Sequence, residues 1–176
     1  MKNRIGIDPS GTGTTAIAIY DDKGELKLES FKSDDWMEHY FWIQDKIELW
    51  YTNIPNKHQK YYYEEKPKLN CEFTTHIRVL TKDTVSLLNL EGVIKYNLNS
   101  DTAIDNLAVN SSHTKSVARK IKLGTSYYGI TYESQVCSKC LTPKGNKKKC
   151  AWWINGYCIS VHERDAIIIA NWERKK

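Results

Sequence analysis

Three short segments at the start of the chain predict an antiparallel meander of strands. Residues 4–9, RIGIDP, form an apolar run that ends at Asp8, because the following proline cannot donate to a strand ladder. The Gly/Thr-rich turn SGTGTT leads into AIAIYDD, which ends in a turn at Gly24. ELKLESF then alternates apolar and polar side chains, as a half-buried strand does. A chain that begins in this way has to bury at least one face of a sheet.

Helical and strand patterns alternate after the meander. Asp34 and Asp35 are typical N-cap residues, and they precede apolar side chains on one helical face up to Tyr51. The tyrosines at 61–63 predict a strand that runs into Glu64 and Glu65 and stops at Pro67. Since polar and charged residues follow at once, we place the end of that strand at its glutamates.

The second half of the chain continues the alternation. A long helix is predicted from residue 74 or 75 to 98, and a strand over 104–110. Ser111 or Ser112 should cap a short basic helix closed by a glycine, and a further strand is expected before the cysteines. A final helix should run from about Ser160 to the end of the chain. This order predicts one α/β domain over 1–176, with a mixed central sheet flanked by helices.

Acidic residues stand at element ends, where open α/β sheets place their sites. Asp8 closes the first strand and Glu64 closes the tyrosine strand, although Glu65 competes because neighbouring strand side chains alternate faces. His162 and Asp165 lie three residues apart at the start of the last helix and share a face. Singly, such residues more often form turns or caps, but hydrolysis of a phosphodiester by two metal ions needs such a cluster.

Four segments, in order along the chain, resemble the motifs of the RuvC-type Holliday-junction resolvases of the ribonuclease H-like superfamily. IGIDPSGTGT resembles the first motif, in which an Asp on the first strand precedes a Gly/Thr-rich turn. YYYEE resembles the second motif, and SVHERDAIIIA resembles the last, with His162 where many relatives carry Asp. TKSVARKIKLG is similar to the basic segment of the family, which approaches the DNA backbone.

The resemblance implies an RNase H-like fold and a homodimeric endonuclease that nicks branched DNA and leaves 5′-phosphates. It implies two Mg²⁺ ions, with Mn²⁺ able to substitute, and one set of catalytic metal-binding side chains: Asp8, Glu64, His162 and Asp165. It implies DNA contacts from three lysines of the basic segment: Lys115, Lys120 and Lys122. The long helix at 77–98 is the candidate dimer face, although packing against the sheet is the commoner fate of such a helix.

Two other classes of function stay open. An RNase H-like nuclease that acts on flaps or RNA–DNA hybrids would carry the same acidic motifs, and a non-catalytic nucleic-acid-binding module would need none of them. The Gly/Thr turn also resembles the first phosphate motif of the actin and sugar-kinase superfamily. Those proteins need two such domains, which 176 residues cannot supply.

Four cysteines in a span of 22 residues predict a zinc-binding insertion over 137–158, before the last helix. The ligands would be Cys137, Cys140, Cys150 and Cys158, whereas Cys71 stands alone and is interpreted as a packed thiol. Four thiolates leave no open position for a substrate, so the zinc would be structural. The alternative is a group of reduced, partly buried thiols.

The charge of the chain favours an anionic partner. Its net charge is +5, and three adjacent lysines, Lys147, Lys148 and Lys149, lie inside the insertion. These lysines are predicted to hold phosphates, and the nearby aromatic residues are predicted to stack on unpaired bases: Trp152, Trp153 and Tyr157. No apolar stretch approaches the roughly 20 residues of a membrane span. The first residues are not typical of a secretory signal, so we expect a cytoplasmic protein with reduced thiols.

Overall fold

The computed structural model of the protein describes residues 3–52, 68–73, 80–99, 105–142 and 144–173, without the side chains of 97–99 and 105–107. Five strands in this part of the chain form a mixed sheet in the order β3-β2-β1-β4-β5. They are β1 (Arg4–Asp8), β2 (Gly13–Tyr20), β3 (Leu26–Ser33), β4 (Lys68–Phe73) and β5 (Asp105–Asn110). The first three are antiparallel neighbours, which confirms the predicted meander, and β4 and β5 run parallel to β1.

Four helices of the described residues cover the two faces of this sheet. They are α1 (Trp36–Thr52), α2 (Lys82–Asn99), α3 (Ser111–Lys122) and α4 (Val161–Ala170). Apolar side chains of α1 and α2 share one core cluster with Ile5 and Ile7 of β1. Those of α3 and α4 share the other with Ala16 and Ala18 of β2. The protein is therefore a mixed α/β fold with helices on both sides of the sheet.

Local hydrogen bonds set where the helices begin and end. Asp35 caps α1 as predicted, since its carboxylate accepts from the backbone N–H of Met37 at 2.8 Å. Ser111 or Ser112 was predicted to cap α3, but the cap is Asn110, because its side chain accepts a hydrogen bond from the Ser112 N–H. Ser160 caps α4 in a reciprocal capping box, but α4 ends at Ala170 and not at the end of the chain.

Strand β4 was not predicted, because its sequence KLNCEF places polar residues inside a short strand. The buried Asn70 donates to the carbonyl oxygens of Ile169 at 2.8 Å and Trp172 at 3.0 Å. A buried amide is tolerated when it is paired in this way, so Asn70 ties β4 to the end of α4. The predicted tyrosine strand, with Glu64 and Glu65, and the expected start of the long helix lie outside the described residues.

Two glycines allow backbone to approach backbone around the end of β1. A Cβ on Gly6 would lie 2.3 Å from the Ala166 carbonyl oxygen and from the Ala170 nitrogen, so only glycine lets α4 cross β1 here. A Cβ on Gly11 would lie 2.1 Å from the backbone nitrogen of Leu87 in α2. The Gly/Thr turn after Asp8 is thus explained by packing against α2.

Helix α2, the candidate dimer face, packs against the sheet. Leu90 and Ile94 are buried in the core cluster that β1 shares with α1, while Val85 and Tyr96 remain exposed. No helix in the described ranges is both long enough and apolar enough to cross a bilayer.

A second sheet, of three antiparallel strands, forms the Cys-rich segment before α4. Its strands are β6 (Ile130–Leu141), β7 (Lys147–Ile154) and β8 (Tyr157–Ile159). Ile130, Trp152 and Ile154 of this sheet pack into the same core cluster as α3 and α4. The Cys-rich segment is therefore joined to the body of the domain through its apolar base.

Candidate functional site

Asp8 and His162 meet at the end of β1, as the sequence analysis expected of them. The Oδ2 atom of Asp8 lies 2.9 Å from Nδ1 of His162, in the first turn of α4. Only 13 % of the Asp8 side chain is exposed, against 46 % for His162. The close approach of α4 to Gly6 places the start of this helix over the end of β1.

Asp165, one turn further along α4, is paired with its neighbour Arg164. The Arg164 guanidinium donates from Nε to Oδ1 and from Nη2 to Oδ2, both at 2.8 Å. Both side chains are largely buried, and a planar two-point pair of this kind fixes the plane of the carboxylate. Arg164 was not singled out from the sequence, because a charged residue in the first turn of a helix is usually solvated.

Glu72 of β4 is a third acid at the same end of the sheet. The parallel register pairs Ile7 with Cys71, so Glu72 follows on the strand next to Asp8. Its Oε2 accepts from the hydroxyl of Thr114, a buried residue of α3, at 3.0 Å. Glu72 was not predicted from the sequence. The signal that could have indicated it is an acidic residue near the end of a short strand, KLNCEF.

Glu64 and Glu65, between which the sequence left the second carboxylate, lie outside the described residues. The strand that neighbours β1 carries Glu72 at the level of Asp8. Glu72 therefore has the placement that was expected of Glu64.

Burial raises the pKa of all three acids, and the charges of Asp8 and Asp165 add to this effect at Glu72. Burial, and then the charge of Asp8, raise the pKa of Glu72 to about 7. Burial also raises the pKa of Asp8, against the lowering effect of the His162 hydrogen bond, and it raises that of Asp165. Asp8 in turn raises the pKa of His162 by accepting its hydrogen bond. Such a set of carboxylates requires bound protons or positive charge nearby.

Carboxylate oxygens are the ligands that Mg²⁺ prefers, so the donor chemistry of Asp8, Glu72 and Asp165 fits this ion. In the structure their charge is balanced inside the protein, by His162 at Asp8 and by Arg164 at Asp165. Among the described residues, the four cysteines are the one group of three or more His, Cys, Asp or Glu side chains with metal-ligand spacing. The acidic centre thus matches Mg²⁺ in donor type, although its oxygens do not lie at metal-ligand spacing in this structure.

The cysteine cluster brings together the four predicted ligands of the second sheet. The Sγ of Cys158 lies 3.3 Å from that of Cys137 and 3.2 Å from that of Cys140, and with Cys150 all four Sγ atoms lie within 4.8 Å of one another. A tetrahedral ion with bonds of about 2.3 Å sets its sulfurs about 3.8 Å apart. None of the four is in a disulfide, so they could hold a metal ion.

Cys71 is separate from this cluster. It is buried in the core with Ile7 and Leu69, where burial raises the pKa of its thiol well above the ordinary value. This placement agrees with the interpretation of Cys71 as a packed thiol.

The lysines of α3 divide into two groups. Lys115, in the first turns, is close enough to the acids for its charge to lower the pKa of both Glu72 and Asp165. Lys120 lies over the ring of Tyr127 at 5.9 Å, and Lys122 over that of Tyr132 at 5.4 Å. Only Lys115 of the three predicted contacts therefore borders the acidic centre.

Of the three aromatic residues predicted beside the lysines of the insertion, Tyr157 is exposed and Trp152 is buried. Lys147, Lys148 and Lys149 are exposed on β7, and Tyr157 is 61 % exposed. Trp152 is only 6 % exposed, so the prediction that it stacks on bases is wrong: its ring covers the Arg164 guanidinium at 4.3 Å. Trp153 is partly buried and donates from Nε1 to the Glu133 carbonyl oxygen.

Comparison with known proteins gives no further guide to this site. No protein-family model matches the chain, and no curated protein sequence matches it.

The raised pKa of Glu72 predicts a pH-dependent stability. The pKa of Glu72 is 4.5 in the unfolded chain and about 7 in the folded protein. Between these two pH values, the folded protein therefore holds a proton on Glu72 that the unfolded chain has released. This contribution is fully present below pH 4.5 and is lost as pH rises through 7. In magnesium-free buffer, Glu72→Gln should be more stable than the wild type by about 1–2 kcal/mol at pH 8.5, with no gain at pH 4.5.

Urea unfolding of both proteins at the two pH values measures this difference. Glu133→Gln, at an exposed position of β6, controls for the loss of one negative charge. A gain in Glu72→Gln that is equal at both pH values would contradict the assignment of a buried, protonated Glu72.

Proposed function

We propose that the protein is a Mg²⁺-dependent endonuclease of RNase H-like fold that nicks branched DNA, most specifically four-way junctions. The observation that carries this proposal is the meeting of three largely buried acids at one end of a mixed sheet. Asp8, Glu72 and Asp165 come from β1, from its parallel neighbour β4 and from α4. A five-stranded mixed sheet with helices on both faces is compatible with the α/β class to which the proposed fold belongs.

Asp8, Glu72 and Asp165 would hold the metal ions, and His162 would join them as a ligand or a proton carrier. When bound, Mg²⁺ activates a water and stabilises the charge that develops on the phosphate and the leaving oxygen. His162 is half exposed and bonded to Asp8, so it is able to pass a proton between the centre and solvent. Lys115, beside the acids, would orient the scissile phosphate. The products are a 5′-phosphate and a 3′-hydroxyl.

The insertion supplies the second part of the DNA surface. Residues 134–162 contain five lysines and no acidic residue, a local charge equal to the net +5 of the chain. In the described residues, none of these lysines has an acidic side chain in salt-bridge range. Lys147, Lys148 and Lys149 would bind phosphates, and the exposed Tyr157 would stack on an unpaired base at the branch.

We assign zinc to the cysteine cluster, with a structural role. Four thiolates at this spacing match a closed tetrahedral site, which has no free position for a substrate. The pairing of β6 with β7 is interrupted by register shifts, so a metal that joins β6, β7 and β8 would hold the basic face rigid. Reduced thiols accord with the cytoplasmic location that we propose.

We further propose that the enzyme acts as a homodimer, since two symmetric nicks need two centres. The exposed side chains of Val85 and Tyr96 on α2 support an interface on that helix.

A cleavage panel tests the proposal. Purified protein is incubated with labelled four-way junction, flap, linear duplex and RNA–DNA hybrid, with and without Mg²⁺. We expect nicks in the junction, with Mg²⁺ only, and little cutting of linear duplex. Preferred cutting of the flap or the hybrid would favour the alternative, an RNase H-like nuclease that acts on flaps or RNA–DNA hybrids. Binding of junction DNA without any cutting would favour a non-catalytic module.

A further inference from the structure

One side chain connects the two centres of the molecule. The Arg164 guanidinium lies between the Trp152 ring of β7, 4.3 Å away, and the Asp165 carboxylate of α4, to which it makes two hydrogen bonds. Arg164 is 8 % exposed and Trp152 is 6 % exposed, so water does not compete strongly for either contact. A guanidinium suits this position, because it stacks through its face and donates through its edge at the same time.

Trp152 lies close to two cysteines of the cluster in the second sheet. It lies two positions after Cys150 on β7, and its partner in the ladder with β8 is Ile159, next to Cys158. Cys158 itself is the ladder partner of Trp153, so cysteines of the cluster lie next to Trp152 both along β7 and across to β8. A bound metal would fix this part of the ladder, since it would link β8, which pairs with β7 at only three positions, to β6 and β7.

We infer that Arg164 is a positioning residue, which transmits the state of the cysteine cluster through Trp152 to the Asp165 carboxylate. The role of Asp165 in cutting rests on the proposed function, whereas the link from the cluster to Arg164 does not. An emptied cluster would loosen β7, free the face of the guanidinium and let the plane of the Asp165 carboxylate rotate. The cysteine cluster would then support the chemistry as well as the DNA surface.

Side-chain hydrogen exchange tests the link without any need for activity. The Nε–H of Arg164, assigned by its loss in Arg164→Lys, should be protected in the zinc-loaded protein, because it is buried and bonded. We expect exchange about tenfold faster or more in Trp152→Leu and in Cys150→Ser. Trp152→Phe retains an aromatic face and should restore most of the protection.

Trp153→Leu is the matched control, because adjacent side chains of a strand point to opposite faces. Trp153 donates a hydrogen bond from Nε1 to the Glu133 carbonyl oxygen. The ring that stacks on Arg164 is that of Trp152. Protection should stay at the wild-type level in Trp153→Leu. Should Trp152→Leu lose its native circular dichroism, Trp152→Phe and Trp153→Phe make the same comparison, with a smaller acceleration expected for Trp152→Phe alone.

Junction cutting gives the second readout. A misplacement of about 1 Å at a reacting centre costs up to about 10²-fold. We therefore expect kcat to fall about 30-fold in Trp152→Leu and at most about threefold in Trp152→Phe, with KM unchanged. A rise in KM at constant kcat would assign Trp152 to DNA binding and contradict the role of Arg164 in positioning Asp165.

The two proposals fail in different ways. Unchanged Arg164 exchange in Trp152→Leu and Cys150→Ser would overturn the link, whatever the nuclease assay gives. Equal acceleration in Trp153→Leu would also overturn it, as a general loosening of the sheet. Faster exchange in a protein that cuts no substrate would support the link and contradict the proposed function.

Discussion

Junction cutting should fall by on the order of 10³-fold or more in Glu72→Gln, and by no more than about threefold in Glu64→Gln. Glu72 lies on the strand beside Asp8, and the charge of Asp8 raises the pKa of Glu72, so the two carboxylates belong to one centre. Glutamine keeps the size of the side chain and can still accept the Thr114 hydrogen bond. The loss would therefore report the missing negative charge.

The measurement is single-turnover cutting of a labelled four-way junction at saturating Mg²⁺, with affinity measured separately in Ca²⁺. Glu65→Gln belongs in the same series, because the sequence left Glu64 and Glu65 as alternatives. If Glu64→Gln abolishes cutting and Glu72→Gln does not, the second carboxylate is Glu64 and our assignment is wrong.

Loss of the cysteine cluster should have the largest effect on stability. In the double variant Cys137→Ser and Cys140→Ser, we expect one equivalent of zinc per chain to disappear. The apparent stability should fall by several kcal/mol, about 3–5, since structural zinc binding contributes directly to folding. Junction affinity should fall as well, because the lysines of β7 lose their rigid support.

Elemental analysis, thermal unfolding and junction binding measure these three effects. Cys71→Ala is the matched control: it removes a thiol from the core and destabilises the protein, but it should leave the zinc content at one equivalent. Metal content, stability and affinity that all stay at the wild-type level in the double variant would contradict the zinc assignment.

Local pattern was sufficient for much of the fold. The meander, the cap of α1, the capping box of α4 and the α/β order follow from side-chain alternation and capping chemistry, which act over a few residues. The pairing of Asp8 with His162 was also expected, since both stand at element ends. The spacing of the cysteines predicted a common site, and the three strands of the second sheet bring the four Sγ atoms together.

The missed features depend on contacts between distant parts of the chain. Strand β4 contains Asn70, whose burial is tolerable only because the carbonyl oxygens at the end of α4 accept its hydrogen bonds. The position of Glu72 beside Asp8 follows from that strand. Trp152 is buried by Arg164 of α4 and by the core cluster that α3 and α4 share, so no local pattern could show that this ring is unavailable to DNA.

The most direct test of the acidic centre is Asp8→Asn, assayed for cutting and binding on the same four-way junction. Asparagine keeps the shape of the side chain and removes the charge at the point where β1, β4 and α4 meet. We predict that Mg²⁺-dependent nicking is abolished while junction affinity stays within about twofold of the wild type. Nicking that persists in Asp8→Asn at the wild-type rate would contradict the proposed mechanism.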